Sequence, residues 1–222
     1  MKPRLTSIFG AVAFMAVIGA IVFISAGTLA LPGMWLYLAG AVVVSVAGIF
    51  FISPELLAER NRPGPGAESD RLFMIGSGVL WLAYYPLAGL DVGRWHITSP
   101  LPTWLMVLGF IGYVASMVWI IWSMAANKFL STMIRVQRER EHTVATGGPY
   151  QFVRHPAYAG AILFGVCGAL AMGSLVAALP MLVWAVLLAQ RTAREEAVLK
   201  AQLEGYSTYM EKVRYRLIPG VW

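Results

Sequence analysis

Charge is the scarcest resource in this chain. Of 222 residues only 13% are Asp, Glu, Lys or Arg, about half the usual share in a soluble domain. A chain this poor in charge, and 59% hydrophobic, has the composition of an integral membrane protein. Cysteine is nearly absent. Cys167 alone permits no intramolecular disulfide and excludes metal sites built from several thiolates. The three histidines (His96, His142 and His155) lack the H-x-x-H and H-E-x-x-H spacings of metal ligands, so no metal is expected. No Walker loop occurs, and no G-x-G-x-x-G follows a strand, so a Rossmann-type nucleotide site is unsupported. The net charge of +6 does not point to nucleic acid, because its placement follows membrane topology.

The long apolar runs organise the rest. A helix crossing a bilayer needs roughly 20 apolar residues. Leu5–Ala30, Met34–Ile52, Leu72–Leu90 and Trp104–Ala126 qualify. The first exceeds the usual signal-peptide core and reads as a retained transmembrane helix. Pro32-Gly33 makes the first turn. Pro54–Arg60 reads as a short interfacial helix, and Asn61–Gly66 as a rigid loop after it. A further apolar run, Ala157–Ala189, is interrupted by Gly173-Ser174. It predicts a tight helical hairpin, with Gly160, Gly165, Gly168 and Ala169 permitting close packing. The fold expected is an all-α membrane bundle of about six hydrophobic segments: four spans plus the hairpin. Its division is 1–126, the N-terminal helices, and 127–222, the functional region.

The charges then set orientation. With a cytoplasmic N-terminus, sixteen of the seventeen Lys and Arg residues fall inside, and only Arg94 outside. Of the eleven acidic residues only Asp91 falls outside. The positive-inside rule favours this arrangement, with both termini cytoplasmic. After Arg191, the residues Leu199, Leu203, Tyr206, Met210 and Val213 recur at steps of four and three, the apolar stripe of an amphipathic helix. It lies on the membrane surface or caps a cavity.

The densest polar chemistry stands at the two ends of the hairpin. At one end are Gly148-Pro149-Tyr150, then Arg154-His155-Pro156 and Tyr158. At the other are Arg191, Arg194, Glu195 and Glu196. An isolated arginine at such a boundary is ordinarily a headgroup anchor. Here irregular backbone at membrane depth precedes it and two tyrosines flank it, which suits a cavity lining. Glu195 and Glu196 point about 100° apart on a helix. They form either a solvated patch or a pair of which one carboxylate holds a cation such as a sulfonium or α-amino group. Arg191 and Arg194 share a helix face and either snorkel or pair with a carboxylate or phosphate.

These residues, with His142 upstream and Gly160, Tyr206-x-x-Tyr209 and Leu217-Ile218-Pro219 downstream, resemble the isoprenylcysteine carboxyl methyltransferase family and its phospholipid methyltransferase relatives. The resemblance covers residues 142–219. It implies S-adenosylmethionine as methyl donor, bound in a cytoplasm-facing pocket. His142, Gly148, Pro149, Tyr150, Arg154, His155, Tyr158, Glu195 and Glu196 would contribute to that pocket. A lipophilic substrate would enter from the bilayer. It would be oriented by Arg191 and Arg194, with Arg191, Glu195 and Arg154 nearest the chemistry. A carboxylate acceptor is expected, and a phospholipid amine is the alternative. The central loop resembles bacterial members, so a bacterial inner membrane is expected. Sterol reductases that bind NADPH resemble the same region but tend to carry Asn where this chain has Ala157. A non-catalytic membrane scaffold is the remaining alternative.

Overall fold

The computed structural model describes residues 2–61, 70–98 and 100–222, and for Lys2 and Pro3 the backbone alone. Among the described residues there is helix and no strand. In chain order the helices are α1 (Lys2–Ala26), α2 (Pro32–Ile49), α3 (Pro54–Asn61), α4 (Arg71–Leu90), α5 (Thr103–Ala126), α6 (Pro156–Met172), α7 (Ala178–Gln202) and α8 (Tyr206–Lys212). A π-helical turn, Asp91–Trp95, extends α4. Two short 3-10 turns, Arg138–Arg140 and Gly148–Gln151, interrupt the loop between α5 and α6.

Local chemistry explains the punctuation. Proline opens α2 and α6 at their first turn, where no amide donor is needed. The Ser53 hydroxyl accepts from Leu56 N at 3.2 Å and starts α3, as expected of a capping serine. Gly173 ends α6 at φ +83°, a conformation natural to glycine. The expected loop after Asn61 lies mostly outside the described residues.

Among the described residues, four segments are long and apolar enough to cross a membrane: Arg4–Ala26, Pro32–Ile49, Arg71–Trp95 and Thr103–Ala126. Helix α6, with 17 residues, is shorter, roughly 26 Å. Its far end nonetheless meets the end of α4. The Asp91 carboxylate accepts from Ser174 Oγ at 2.6 Å, from Thr98 Oγ1 at 2.5 Å and from Thr98 N at 2.8 Å. Arg94 donates to the Ile24 carbonyl at 3.2 Å. These contacts gather the α1 terminus, the α4 terminus and the hairpin turn at one end of the bundle. The opposite end collects α3, the α5–α6 loop, α8 and nearly all the remaining charge.

One main core runs between the ends, drawn from α1, α2, α4, α5, α6 and α7. It therefore bridges the expected boundary at residue 126. Tyr37, Tyr84, Tyr85 and Tyr113 are buried in it, and Tyr84 donates to the Gly165 carbonyl at 3.0 Å. The small residues expected to permit close packing do so. A Cβ on Gly160 would come within 2.8 Å of Ile120. Outside the core, Phe9, Ile24, Leu82, Val118, Leu163 and Val186 are exposed, an apolar exterior suited to lipid.

Two expectations change. The third apolar segment does not stop at Leu90 but continues through the π turn to Trp95. The single amphipathic helix after Arg191 is two helices. Helix α7 runs unbroken from the membrane hairpin to Gln202, and Gly205, at φ +80°, turns the chain into α8. The predicted stripe is thus divided between α7, the turn and α8, yet it stays together. Leu199, Leu203, Tyr206, Met210 and Val213 pack with Tyr150 and Tyr209 in a second cluster.

One close glycine contact in the core gives a prediction. A Cβ on Gly168 would stand 2.7 Å from the Tyr84 hydroxyl and 3.1 Å from Tyr37. Gly168→Val should destabilise by about 1–3 kcal/mol, the usual cost of overpacking. Thermal unfolding in detergent should show a lowered midpoint, while Gly10→Ala, with nothing within 4 Å of the added carbon, should leave it in place.

Candidate functional site

The hairpin brings its two ends together at the charged end of the bundle. The Arg154 guanidinium donates through Nε to Glu196 Oε1 at 2.5 Å. Its Nη1 donates to the Val213 and Arg214 carbonyls at 2.8 and 2.6 Å. Arg216 Nε donates to the other oxygen of Glu196, also at 2.5 Å. The C-terminal tail is further stitched to the start of α6 by Arg154 N to the Tyr215 carbonyl and His155 N to the Arg216 carbonyl, both 2.9 Å. One carboxylate therefore ties α7, the residues before α6 and the tail together.

Glu196 is 3% exposed. Burial acts to raise its pKa, but His155, Arg154 and Arg216 outweigh it and hold the carboxyl at about 2. It is ionised at any ordinary pH. His155 Nε2 lies 3.4 Å from Glu196 Oε1 without hydrogen-bonding geometry, and it has no other partner.

Glu195 faces the other way. Its Oε2 accepts from the Tyr158 hydroxyl at 2.5 Å, and Glu195 lines a narrow cavity of about 60 Å³. His142, Tyr150, Arg154, His155 and Tyr158 line the same cavity. The helix geometry thus separates the adjacent carboxylates: Glu195 bounds the space and Glu196 braces the wall behind it. Gly148 and Pro149 are not in the wall. Gly148, at φ +57°, opens the turn whose third residue is Tyr150.

Arg191 is not in the wall either. Its Nε and Nη2 grip the two oxygens of Asp70 at 2.9 and 2.8 Å. Nη2 also donates to the Thr132 carbonyl at 2.8 Å, and Nη1 donates to the Tyr158 hydroxyl. The guanidinium lies over the Phe73 ring, 4.7 Å from its centre. Arg194 sits half-buried on the same helix. Neither Arg191 nor Arg194 is among the residues that line the cavity, so the expected pair does not face it.

The cavity has further residues in its wall, of which the loop residues Asn127, Phe129 and Met133 were not anticipated. Asn127, Phe129, Met133, Leu199, Leu203, Tyr206 and Tyr209 line it. Leu199 of α7, Leu203 of the turn and Tyr206 at the start of α8 bring the apolar stripe to the cavity wall. The α5–α6 loop is held as a frame. Asn127 Nδ2 donates to the Tyr150 hydroxyl at 3.1 Å, and Tyr209 donates to the Tyr150 carbonyl at 2.7 Å. Arg135 pairs with Glu59 of α3 at 3.1 Å. The one sequence signal for Asp70 was an acidic residue directly before an apolar run. The residue is fully buried and bonded to an arginine 121 positions away.

His142 stacks on Phe129, ring centres 4.4 Å apart. Its Nδ1 accepts from Gln137 N at 3.2 Å. Burial, with the Arg140 and Arg135 charges, lowers its pKa from 6.5 to about 4. The cavity therefore presents a neutral imidazole at pH 7. Tyr206 Oη, like His155 Nε2, is buried without a hydrogen-bond partner. Both residues belong to the cavity wall, so the wall retains unused polar capacity for a ligand. Among the described residues, no group of three or more His, Cys, Asp or Glu is arranged to hold a metal ion.

An apolar helical bundle with a cavity at its charged end defines a class: an integral membrane protein whose polar residues gather around one cavity. Comparison with known proteins narrows it. Residues 107–201, a little under half of the chain, match the isoprenylcysteine carboxyl methyltransferase (ICMT) family. The chain is 30% identical over 91 residues to the protein-S-isoprenylcysteine O-methyltransferase of Schizosaccharomyces pombe (strain 972 / ATCC 24843). The aligned part is 40% of this chain and 38% of that relative, so the chain matches about two fifths of the relative's length. The fold is similar to the solved structure of the eukaryotic intramembrane Ras methyltransferase ICMT. The TM-score is 0.56, at 17% identity, covering 94% of this chain and 75% of that one.

The shifted groups give a pH dependence. His142 is a base whose pKa is depressed from 6.5 to about 4, so folding favours its neutral form. Its contribution is complete above about pH 6.5 and is lost as pH falls toward 4. Glu196 is depressed from 4.5 to about 2, so its contribution is present above about pH 4.5 and is lost on further acidification toward 2. The unfolding midpoint should fall steadily from pH 7 to pH 4. His142→Gln should flatten that part of the profile. A wild-type midpoint unchanged across the range would contradict the assignment.

Proposed function

We propose that this protein transfers a methyl group from S-adenosylmethionine to the carboxylate of a lipophilic acceptor at the cytoplasmic membrane face. The observation that carries the reading is the Glu195 carboxylate, held by Tyr158 in the wall of a cavity at the charged end of a membrane bundle. The family match over residues 107–201 supports it.

The residues present suit the cofactor. Aromatic groups from Phe129, Tyr150, Tyr206 and Tyr209 offer flat surfaces for an adenine. The neutral His142 adds a ring without adding charge. Glu195 is placed to balance a positive charge, and the unpartnered His155 Nε2 and Tyr206 Oη are available for hydrogen bonds. When bound, the cofactor supplies an electrophilic methyl group on a sulfonium.

The chain's own task is alignment and electrostatics. A carboxylate acceptor is already ionised at pH 7 and needs no base. It needs to be held in line and stripped of water, which the stripe of Leu199 and Leu203 promotes by covering the cavity. The distribution of basic residues supports a cytoplasmic orientation: sixteen of the seventeen lie in segments assigned to this side. Arg154 acts as part of the wall. Arg191 is committed to Asp70, the Thr132 carbonyl and Tyr158, so Arg135 and Arg154 are the cations in the cavity wall. We place the protein in a bacterial inner membrane, on the resemblance of its Pro54–Gly66 segment to bacterial members.

Calorimetry with purified protein tests the reading. S-adenosylhomocysteine should bind, Glu195→Gln should weaken that binding at least tenfold, and NADPH should not bind. Membranes incubated with methyl-labelled cofactor should yield a base-labile label, the mark of an ester. Binding of NADPH in place of S-adenosylhomocysteine would overturn the proposal.

A further inference from the structure

Asp70 is the most completely enclosed acid at the polar end, and nothing in the reaction outlined above uses it. It stands directly before α4, with no exposed surface, and its side chain does not cap that helix. Its two oxygens are taken by the Nε and Nη2 of Arg191, and Oδ2 also receives Ile134 N at 3.4 Å. A side-on, two-point grip fixes the plane of a guanidinium. With that plane fixed, the second Nη2 hydrogen meets the Thr132 carbonyl and Nη1 points at the Tyr158 hydroxyl.

The chain of contacts does not stop there. The Tyr158 oxygen accepts from Arg191, and its hydrogen is donated to Glu195 Oε2 at 2.5 Å. Accepting from a cation polarises the O–H bond and strengthens its donation. Tyr158 has one donor proton and a limited set of orientations, so its position under Arg191 decides which way Glu195 is held. Glu195 lines the cavity, and Asp70 and Arg191 do not.

We propose that Asp70 is a positioning residue for the cofactor site: acting through Arg191 and Tyr158, it sets the orientation of the Glu195 carboxylate that receives the positive end of the bound cofactor. The assignment rests on the methyl-transfer reading. It explains why Arg191 carries its own buried counter-ion. Its charge is balanced by Asp70, and its remaining donors are committed to the loop and to Tyr158, so it serves as a strut.

A merely structural ion pair between α4 and α7 would look the same in a stability measurement, so the test needs a second readout. Asp70→Asn preserves shape but turns an amide N–H₂ toward the Arg191 donors, which must then rotate. The affinity for S-adenosylhomocysteine is measured by calorimetry for wild type, Asp70→Asn, Tyr158→Phe and the double variant, beside the unfolding midpoint of each. The expected result is at least a tenfold loss of affinity in each single variant. The double variant should be no more than about twofold weaker than the worse single one, because both act along one line. Asp70→Glu, which keeps the charge, should recover part of the loss.

Wild-type affinity in Asp70→Asn, or losses that multiply in the double variant, would overturn the assignment of Asp70 and leave the methyltransferase reading standing. Should Asp70→Asn fail to fold, Asp70→Glu and Tyr158→Phe carry the same comparison. Additivity between those two would overturn the assignment equally. A wild-type protein that does not bind S-adenosylhomocysteine would remove both.

Discussion

The structure of the polar end depends on one ion triad. Glu196 offers one oxygen to Arg154 and the other to Arg216, so a single buried carboxylate joins three stretches of chain. Desolvating such a group is expensive, and the expense is offset only when the geometry is good and the remaining donors are satisfied. Both conditions hold. Nη1 of Arg154 reaches the backbone carbonyls at residues 213 and 214, and the tail is stitched to the start of α6 by backbone bonds. Removing one member would leave an uncompensated charge, so the junction is rigid. A rigid junction is what lets the neighbouring residue, Glu195, bound a cavity with a fixed carboxylate.

The membrane imposes the complementary constraint. Within the apolar bundle each polar group must find a partner inside the protein. Tyr84 finds the Gly165 carbonyl, Trp184 finds Ser77, and Ser116 and Ser123 bond back to carbonyls one turn earlier on their own helix. The far end is closed by Asp91 with Thr98 and Ser174. That leaves the opposite end free to concentrate titratable chemistry. There the α5–α6 loop is framed by Glu59–Arg135, Asp70–Arg191 and the Gln137–Phe129 bond, and the cavity occupies the space inside the frame.

Much of this was legible in the sequence because it is local. Runs of about 20 apolar residues, Pro32, Pro156 and Gly173 fix the helices and turns by chain-local rules. The hairpin then brings Arg154 and Tyr158 to Glu195 and Glu196 without further information. What was not legible is long-range or a matter of a few degrees. Asp70 could not be matched to an arginine 121 residues on, since no local pattern encodes that pair. The sharing of work between Glu195 and Glu196 could not be read from their adjacency. It is decided by where Arg154, Arg216 and Tyr158 end up in space. The stripe from Leu199 to Val213 has helical spacing, so the break at Gly205 shows only in its positive φ. Loop residues of the cavity wall, such as Asn127 and Met133, belong to no periodic pattern and surface only once the loop is folded back.

The central claim is that Glu196, although behind the wall, determines whether the cavity can bind a ligand. Titration of S-adenosylhomocysteine into the Glu196→Ala variant tests it most directly, with detergent elution and helical content monitored to establish that the bundle persists. The account predicts at least a tenfold loss of affinity in a protein whose membrane helices are intact. Wild-type affinity in that variant would contradict it.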